Sequence, residues 1–107
     1  NGQRFVGING GPQFKFDEAV SFQVTCEDQK ELDRYWDALQ EGGGEPGPCG
    51  WLKDRFGLSW QIVPQGMEEL FADPDKSRSE RAMQAMLKMS KLDIAALRAA
   101  ADGEPVA

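Results

Sequence analysis

Apolar and polar residues alternate along residues 19–26, and this period-2 pattern predicts a β-strand. The even positions, from Val20 to Cys26, are all apolar and are expected to face the main core. The odd positions, which include Ser21, are small or polar, as expected for solvent or for the inner wall of a pocket. The pattern therefore predicts a strand with one buried face.

An earlier strand is predicted over residues 3–9, where Arg4 is mixed with apolar side chains such as Phe5 and Ile8. It ends at a strong turn cluster, residues 9–12 (NGGP). A sheet element so close to the first residue indicates that the sequence enters a fold midway.

The first helix is predicted to start at Asp28, because Asp28 and Glu31 have the spacing of an N-cap residue and its N3 partner. Leu32 and Trp36 follow at helical spacing and begin an apolar stripe. Residues 42–44 are glycines and are predicted to end the helix, since glycine reaches the left-handed C′ conformation without a Cβ penalty.

A β-hairpin is predicted after residues 45–48 (EPGP), which are expected to form a loop without regular structure. Residues 51–52 and 58–63 are its two strands, and residues 54–57 (DRFG) form its turn. Gly57 supplies the positive φ that closes such a turn.

The hairpin contains the side chains on which the functional question depends. Trp51 and Trp60 have large apolar rings, so they are expected to face a core or a concave pocket. The final strand places the polar Gln61 between Trp60 and Ile62. Cross-strand aromatic pairing alone also explains the two tryptophans.

The C-terminal part of the chain is predicted to be helical. Residues 66–72 are expected to form one or two helical turns, and a longer helix over residues 78–90 is expected to open with the capping pair Ser77 and Glu80. A last helix is predicted to begin at Asp93. The predicted order is therefore strand, strand, helix, strand, strand and a helical tail.

Charge and composition exclude several classes of function. The chain has 107 residues and a formal net charge of −6, which argues against binding to nucleic acid or to anionic membrane surfaces. It contains neither an apolar stretch long enough to cross a membrane nor a signal-peptide pattern. We therefore expect one compact cytoplasmic domain.

The chain has two cysteines, Cys26 and Cys49, and no histidine. The cysteines do not form a C-x-x-C pair and are predicted to be free thiols, with Cys49 the candidate for a reactive one. The lack of histidine removes both the commonest general base and the commonest metal ligand.

Several segments together resemble the glyoxalase/bleomycin-resistance superfamily, also called the vicinal oxygen chelate proteins. The closest similarity is to its PhnB-like group, which often carries the label 3-demethylubiquinone 3-methyltransferase. The segments are residues 9–16 (NGGPQFKF), 49–54 (CGWLKD), 60–64 (WQIVP), 83–89 (MQAMLKM) and 92–97 (LDIAAL). The resemblance covers nearly the whole chain.

The resemblance implies an α+β fold in which paired βαβββ modules form a half-open cup around one site. Residues 1–64 would then hold the last strand of a first module and a complete second module, which is half of a paired-module cup. Residues 65–107 would be a helical C-terminal extension packed on the same domain. Because the core of one module is too small to close a cup, we expect a homodimer.

The resemblance also implies two positions of a divalent-metal site in this module. The first, a histidine in the superfamily enzymes, is Ala19 here and cannot bind a metal. The second, a glutamate, is Gln61, whose neutral amide oxygen is a weak ligand. We expect Gln61 to hydrogen-bond within the pocket wall and predict no cofactor, with a divalent metal held partly from outside this chain as the alternative.

The leading functional expectation is a protein that binds a small molecule in a cup between modules, without a standard metal site. Trp51, Trp60, Gln61 and Ser21 are the predicted ligand-binding residues, and no catalytic residue is predicted. The alternatives are a divalent-metal-dependent lyase or dioxygenase and a structural or assembly domain. The methyltransferase label has no support, because no glycine-rich turn joins a strand to a helix as a nucleotide-type cofactor requires.

Overall fold

Between residues 2 and 103, the part of the chain that the computed structural model describes, one four-stranded sheet is combined with four helices. The elements, in chain order, are β1 (Ser21–Cys26), α1 (Gln29–Gln40), β2 (Glu45–Pro46), β3 (Trp51–Lys53), β4 (Ser59–Pro64), α2 (Met67–Phe71), α3 (Lys76–Met86) and α4 (Ile94–Ala101). The first five elements make up a βαβββ module, so the predicted α+β fold class is confirmed.

The sheet has the strand order β1-β4-β3-β2. β1 runs parallel to β4, and the hairpin strands β3 and β4 are antiparallel. Parallel strands need a crossover connection, and α1 is the first part of the connection from β1 to β4. This helix packs on one face of the sheet. Leu32 and Trp36 of α1 lie in one buried cluster with Cys26, Leu52 and Ile62 of the three longer strands. We call this face the core face.

The predicted start of α1 is confirmed in its cap. Asp28 is the N-cap residue, and its carboxylate accepts a hydrogen bond of 2.8 Å from the backbone N–H of Glu31. The Glu31 carboxylate in turn accepts a bond of 3.2 Å from the N–H of Glu27, one residue before the cap. After the helix, Gly42 has φ = +82°, the left-handed conformation expected there.

Strand β2 corrects one prediction, because Glu45 and Pro46 are paired antiparallel with Lys53 and Leu52 rather than lying in an irregular loop. Two residues are too few to show an alternating pattern, so only the partner strand defines this element. Pro46 has no N–H to donate, which fits a strand at the edge of a sheet.

The predicted strand at residues 3–9 is wrong: within the described part of the chain these residues are exposed and take no part in the sheet. An extended segment becomes a strand only when a neighbour supplies hydrogen-bond partners, and β1 has β4 as its only neighbour in this sheet. The segment nevertheless contacts the sheet, since the rings of Phe5 and Phe22 meet edge to face with centroids 5.6 Å apart.

Helix α3 starts earlier and ends earlier than residues 78–90. Its N-cap is Asp75, which accepts a bond of 2.9 Å from the N–H of Ser77, so the predicted Ser77 cap is wrong. An ion pair of 2.9 Å between Arg78 and Asp73 ties the first turn to the preceding loop. The helix stops at Met86, and the carbonyls of residues 89–90 instead accept bonds from the N–H groups of residues 49–50.

Helix α4 begins as predicted, with the Asp93 carboxylate accepting a bond of 3.0 Å from the N–H of Ala96. Leu92 and Leu97, on either side of this cap, belong to the same buried cluster as the core face of the sheet. The side-chain amide of Gln29 in α1 donates a hydrogen bond of 3.0 Å to the carbonyl of Leu92 and accepts one of 2.8 Å from the N–H of Ile94. Residues 104–107 of the expected C-terminal extension lie outside the described residues.

None of the helices between residues 2 and 103 combines the length and the apolar character that crossing a membrane would require.

Candidate functional site

The face of the sheet opposite to the core face, here called the open face, carries the row of side chains predicted to bind a ligand. Strand pairing aligns Gln61 of β4 with Gln23 of β1 on one side and with Trp51 of β3 on the other. Aligned residues point to the same face, and neighbours along a strand point to opposite faces. Trp51, Gln61 and Ser21 are all partly exposed there.

Gln61 and Ser21 are joined directly. The side-chain amide nitrogen of Gln61 donates a hydrogen bond of 2.9 Å to the Ser21 hydroxyl. The bond fixes the orientation of the Gln61 amide and leaves its carbonyl oxygen as an acceptor. The hydrogen bond expected for Gln61 is therefore present, with a predicted ligand-binding residue as its partner, although neither side chain lines the cavity described below.

Trp60 lies apart from this row. It is aligned with Leu52 and Phe22, which places it on the core face, and its ring lies 5.5 Å from that of Phe22 between centroids. The indole N–H of Trp60 donates a hydrogen bond of 2.9 Å to a carboxylate oxygen of Asp54. Of the four predicted ligand-binding residues, the sheet thus groups Ser21, Gln61 and Trp51, and separates Trp60 from them.

Asp54 holds the hairpin turn that positions these strands. One of its carboxylate oxygens accepts bonds of 2.9 Å from the N–H of Phe56 and 3.0 Å from the N–H of Leu58. Gly57 closes the turn with φ = +86°, as predicted. Because the second oxygen of Asp54 is bonded to Trp60, one carboxylate fixes both the turn and the tryptophan behind the open face.

A cavity of about 390 Å³ lies beside Trp51, where the open face reaches β2. Its lining residues are Glu18, Glu45, Pro46, Gly47, Pro48, Cys49, Trp51, Leu52, Lys53 and Ser59. The Ser59 hydroxyl is buried at this wall and has no hydrogen-bond partner among residues 2–103. A buried hydroxyl without a partner is rare in a folded chain, since it gives up its bonds to water without replacement.

An ion pair between Lys53 and Glu18 borders the cavity. The hydrogen bond from the Lys53 ammonium lowers the pKa of Glu18, and the same bond raises the pKa of Lys53. Glu45, aligned with Lys53 across β2 and β3, adds a second carboxylate to the rim. Both members of the ion pair are therefore charged at neutral pH, and the lining carries two acidic groups and one basic group.

The two thiols differ in surroundings, and both are free, as predicted. Cys26 is fully buried, and this burial raises the pKa of its thiol to about 11. Cys49 is partly exposed, lines the cavity and adopts φ = +58°, a left-handed conformation that is uncommon for a residue with a side chain. Only Cys49 is accessible to a reagent in the folded protein.

The described residues do not by themselves provide a set of ligands for a divalent metal. No group of three or more histidine, cysteine, aspartate or glutamate residues that could hold a metal lies between residues 2 and 103. At the expected position, Gln61 offers one amide oxygen, because its nitrogen is bonded to Ser21. Hard divalent cations need several such oxygen donors. No chemical step through a metal follows from this arrangement.

Sequence reasoning missed the cavity, although part of the signal was present. Ser59 lies two residues before Gln61 on the same strand, so period-2 alternation places both on the open face. The alternation cannot show that the Ser59 hydroxyl is without a partner. It also cannot show that Glu18, which precedes β1, reaches across to Lys53.

Comparison with known proteins gives one family. A family model described as 3-demethylubiquinone-9 3-methyltransferase matches residues 1–63, which is more than half of the 107 residues. A search of curated proteins found no match. The matched segment spans the whole βαβββ module except the last residue of β4, and it includes every predicted ligand-binding residue. The chain therefore belongs to the 3-demethylubiquinone-9 3-methyltransferase family, a PhnB-like family of the glyoxalase superfamily.

Proposed function

We propose that this protein binds a small organic molecule on the open face of its sheet, without a metal site made by its own residues. The observation that carries the proposal is the row of Trp51, Gln61 and Ser21, which are partly exposed on one face of the sheet, with Gln61 and Ser21 joined by a hydrogen bond. Binding sites typically combine an apolar wall with a few oriented polar groups, and this row has that composition.

Each member of the row has a separate role in the proposal. The Trp51 indole offers a flat apolar surface on which a planar ligand stacks. Gln61 accepts a hydrogen bond from the ligand through its carbonyl oxygen, and Ser21 holds the amide in that orientation. Because the amide is already fixed, a ligand loses little free energy in ordering it.

A second copy of the chain is part of the proposal. β1 is an edge strand, and exposed apolar side chains such as Phe5, Val20 and Phe22 lie along it or before it. Exposed edges and apolar patches of this kind favour association. A homodimer would enclose the ligand between two modules, and the free thiols of Cys26 and Cys49 are in keeping with the reducing cytoplasm.

Two experiments test the proposal. In the first, tryptophan fluorescence is followed during titration with a panel of planar metabolites, and a ligand that stacks on Trp51 quenches it. Trp51→Phe should abolish the quenching and Gln61→Ala should weaken binding, whereas Gln84→Ala, an exposed change on α3, should leave both unchanged. No response to any compound in the wild-type protein would refute binding on this face.

The second experiment is native mass spectrometry of the purified protein. We expect a metal-free dimer. A stoichiometric divalent ion that is lost in Gln61→Ala would instead support a metal-dependent enzyme whose other ligands come from outside this chain. A clean monomer at micromolar concentration would refute the homodimer. If neither a ligand nor a metal is found, the structural or assembly domain becomes the better interpretation.

A further inference from the structure

We infer that the cavity between Trp51 and β2 takes the ammonium group of a small aromatic amine. This inference rests on the proposed function, because Trp51 belongs to the open-face row and also lines the cavity. It concerns the chemical class of the ligand, and three features of the cavity carry it: an unpartnered hydroxyl, an excess of acidic groups and apolar walls.

The first feature is Ser59, which is 1% exposed and whose hydroxyl has no partner in the described part of the chain. Strand pairing places it between Lys53 of β3 and Ser21 of β1 on the open face, at the wall of the cavity. An unsatisfied buried hydroxyl destabilises the empty protein, and a polar atom of a ligand would remove that cost. Because the Ser59 hydroxyl has almost no exposed surface, a ligand atom would bond to it at the floor of the cavity after a small rotation of the Ser59 side chain, and we place the polar end of the site there.

The second feature is charge. Lys53 is paired with Glu18, so the positive charge of its ammonium is largely offset by that carboxylate. Glu45, exposed and aligned with Lys53, leaves one carboxylate in excess at the rim. The whole chain carries a formal net charge of −6, which favours cations over anions as they approach. An ammonium group donates up to three hydrogen bonds and can use a hydroxyl and a carboxylate together.

The third feature is the apolar part of the lining, which consists of Pro46, Pro48, Leu52 and the ring of Trp51. Flat rings and proline side chains suit an aromatic ligand body, and a cation near the face of an indole gains a further electrostatic attraction. The volume of about 390 Å³ lies at the small end of ligand sites, which run from roughly 300 to 1,000 Å³. A single-ring amine matches this size.

The test compares three probes of similar shape and different charge: 2-phenylethylamine, 2-phenylethanol and 3-phenylpropionate. Each is titrated into the isotope-labelled protein and followed by amide chemical shifts. The amine should bind about tenfold more tightly than the alcohol, and the acid should bind least, because hydrogen bonds to charged groups exceed neutral ones by this order. Equal binding of the amine and the alcohol, or preference for the acid, would overturn the inference.

Variants locate the binding within the cavity. Ser59→Ala and Glu45→Gln should each weaken the amine about fivefold to tenfold, while their matched controls Ser79→Ala and Glu80→Gln on α3 should not change it. Ser59→Ala should also melt at a higher temperature than the wild-type protein, since it removes the unpartnered hydroxyl. Unchanged amine affinity in both cavity variants would overturn the inference.

Alkylation of Cys49 gives a readout that does not depend on these variants folding well. The amine should slow the reaction of iodoacetamide with Cys49, which lines the cavity, and Cys26 should stay unmodified because it is fully buried. A rate unaffected by saturating amine would contradict binding in the cavity.

The failure of this inference is distinguishable from the failure of the proposed function. If a planar metabolite quenches Trp51 and loses affinity in Gln61→Ala but not in Ser59→Ala, the open-face row binds ligands and the cavity does not. If the amine depends on Ser59 and not on Gln61, the cavity alone binds. No binding of the amine, with a metabolite bound elsewhere on the face, overturns only the inference drawn from the cavity.

Discussion

The amide of Gln61 donates a 2.9 Å hydrogen bond to the hydroxyl of Ser21, a residue 40 positions earlier in the chain. The bond crosses between the two parallel strands of the sheet, so it depends on the crossover through α1 and on the register of β1 with β4. It fixes the side-chain amide of the residue that is aligned with Trp51. The orientation of the candidate site is thus set by the strand pairing.

A double-mutant cycle measures this bond. Gln61→Ala, Ser21→Ala and the double variant should show a coupling free energy of unfolding of about 0.5–1.5 kcal/mol, the usual net value of one hydrogen bond. Denaturant unfolding of the wild-type protein and the three variants measures this coupling free energy. A control cycle of Gln61→Ala with Thr25→Ala should show almost no coupling, and equal coupling in the two cycles would contradict the predicted bond.

Asp54→Ala should destabilise the protein more than most substitutions of exposed or half-buried polar residues do. It removes three hydrogen bonds at once, two donated by N–H groups of the turn and one donated by the Trp60 indole. We expect a loss of about 2–4 kcal/mol in the free energy of unfolding, together with a shift in tryptophan emission. Asp37→Ala, an exposed change on α1, is the control and should leave both nearly unaltered.

Gln29→Ala tests whether the C-terminal helices form one cooperative unit with the βαβββ module, as we propose. It leaves the Leu92 carbonyl and the Ile94 N–H without their partner, and should lower the free energy of unfolding by about 1–3 kcal/mol. Thermal unfolding followed by far-UV and near-UV dichroism should stay a single transition. Two separated transitions would show that residues 65–107 unfold on their own, and Gln84→Ala serves as the control.

The buried thiol of Cys26 predicts a loss of stability at alkaline pH. Its folded-state pKa is raised from an ordinary 9.0 to about 11, so above pH 9.0 the unfolded chain releases a proton that the folded chain retains. The contribution of this thiol to the free energy of unfolding is fully present below pH 9.0 and is lost as the pH rises through about 11. The total loss amounts to about 2–3 kcal/mol.

The measurement is the free energy of unfolding as a function of pH. The decline over this window should be shallower in Cys26→Ala than in the wild-type protein, and Cys49→Ala should keep the wild-type slope. Parallel curves for the wild-type protein and Cys26→Ala would mean that another group causes the decline.

Where the signal is local, the sequence alone was sufficient. The caps of α1 and α4 follow from Asp28 and Asp93, because a carboxylate of this kind bonds an N–H only two or three residues away. The turn closed by Gly57 follows from the few residues that reach positive φ without strain. Family membership also follows from the sequence, since residues 1–63 carry the matching pattern.

Tertiary structure decided the rest, because it depends on partners distant in the chain. Glu45 and Pro46 form a strand only because β3 lies beside them, whereas residues 3–9, with a better strand pattern, pair with no strand in the described fold. Cross-strand aromatic pairing of Trp51 and Trp60, an explanation that the sequence allowed, is wrong, because the register of β3 with β4 places them on opposite faces. Packing then shows which face α1 covers. The cavity exists only after the sheet has assembled, with Glu18 bonded to Lys53 and the Ser59 hydroxyl without a partner among residues 2–103.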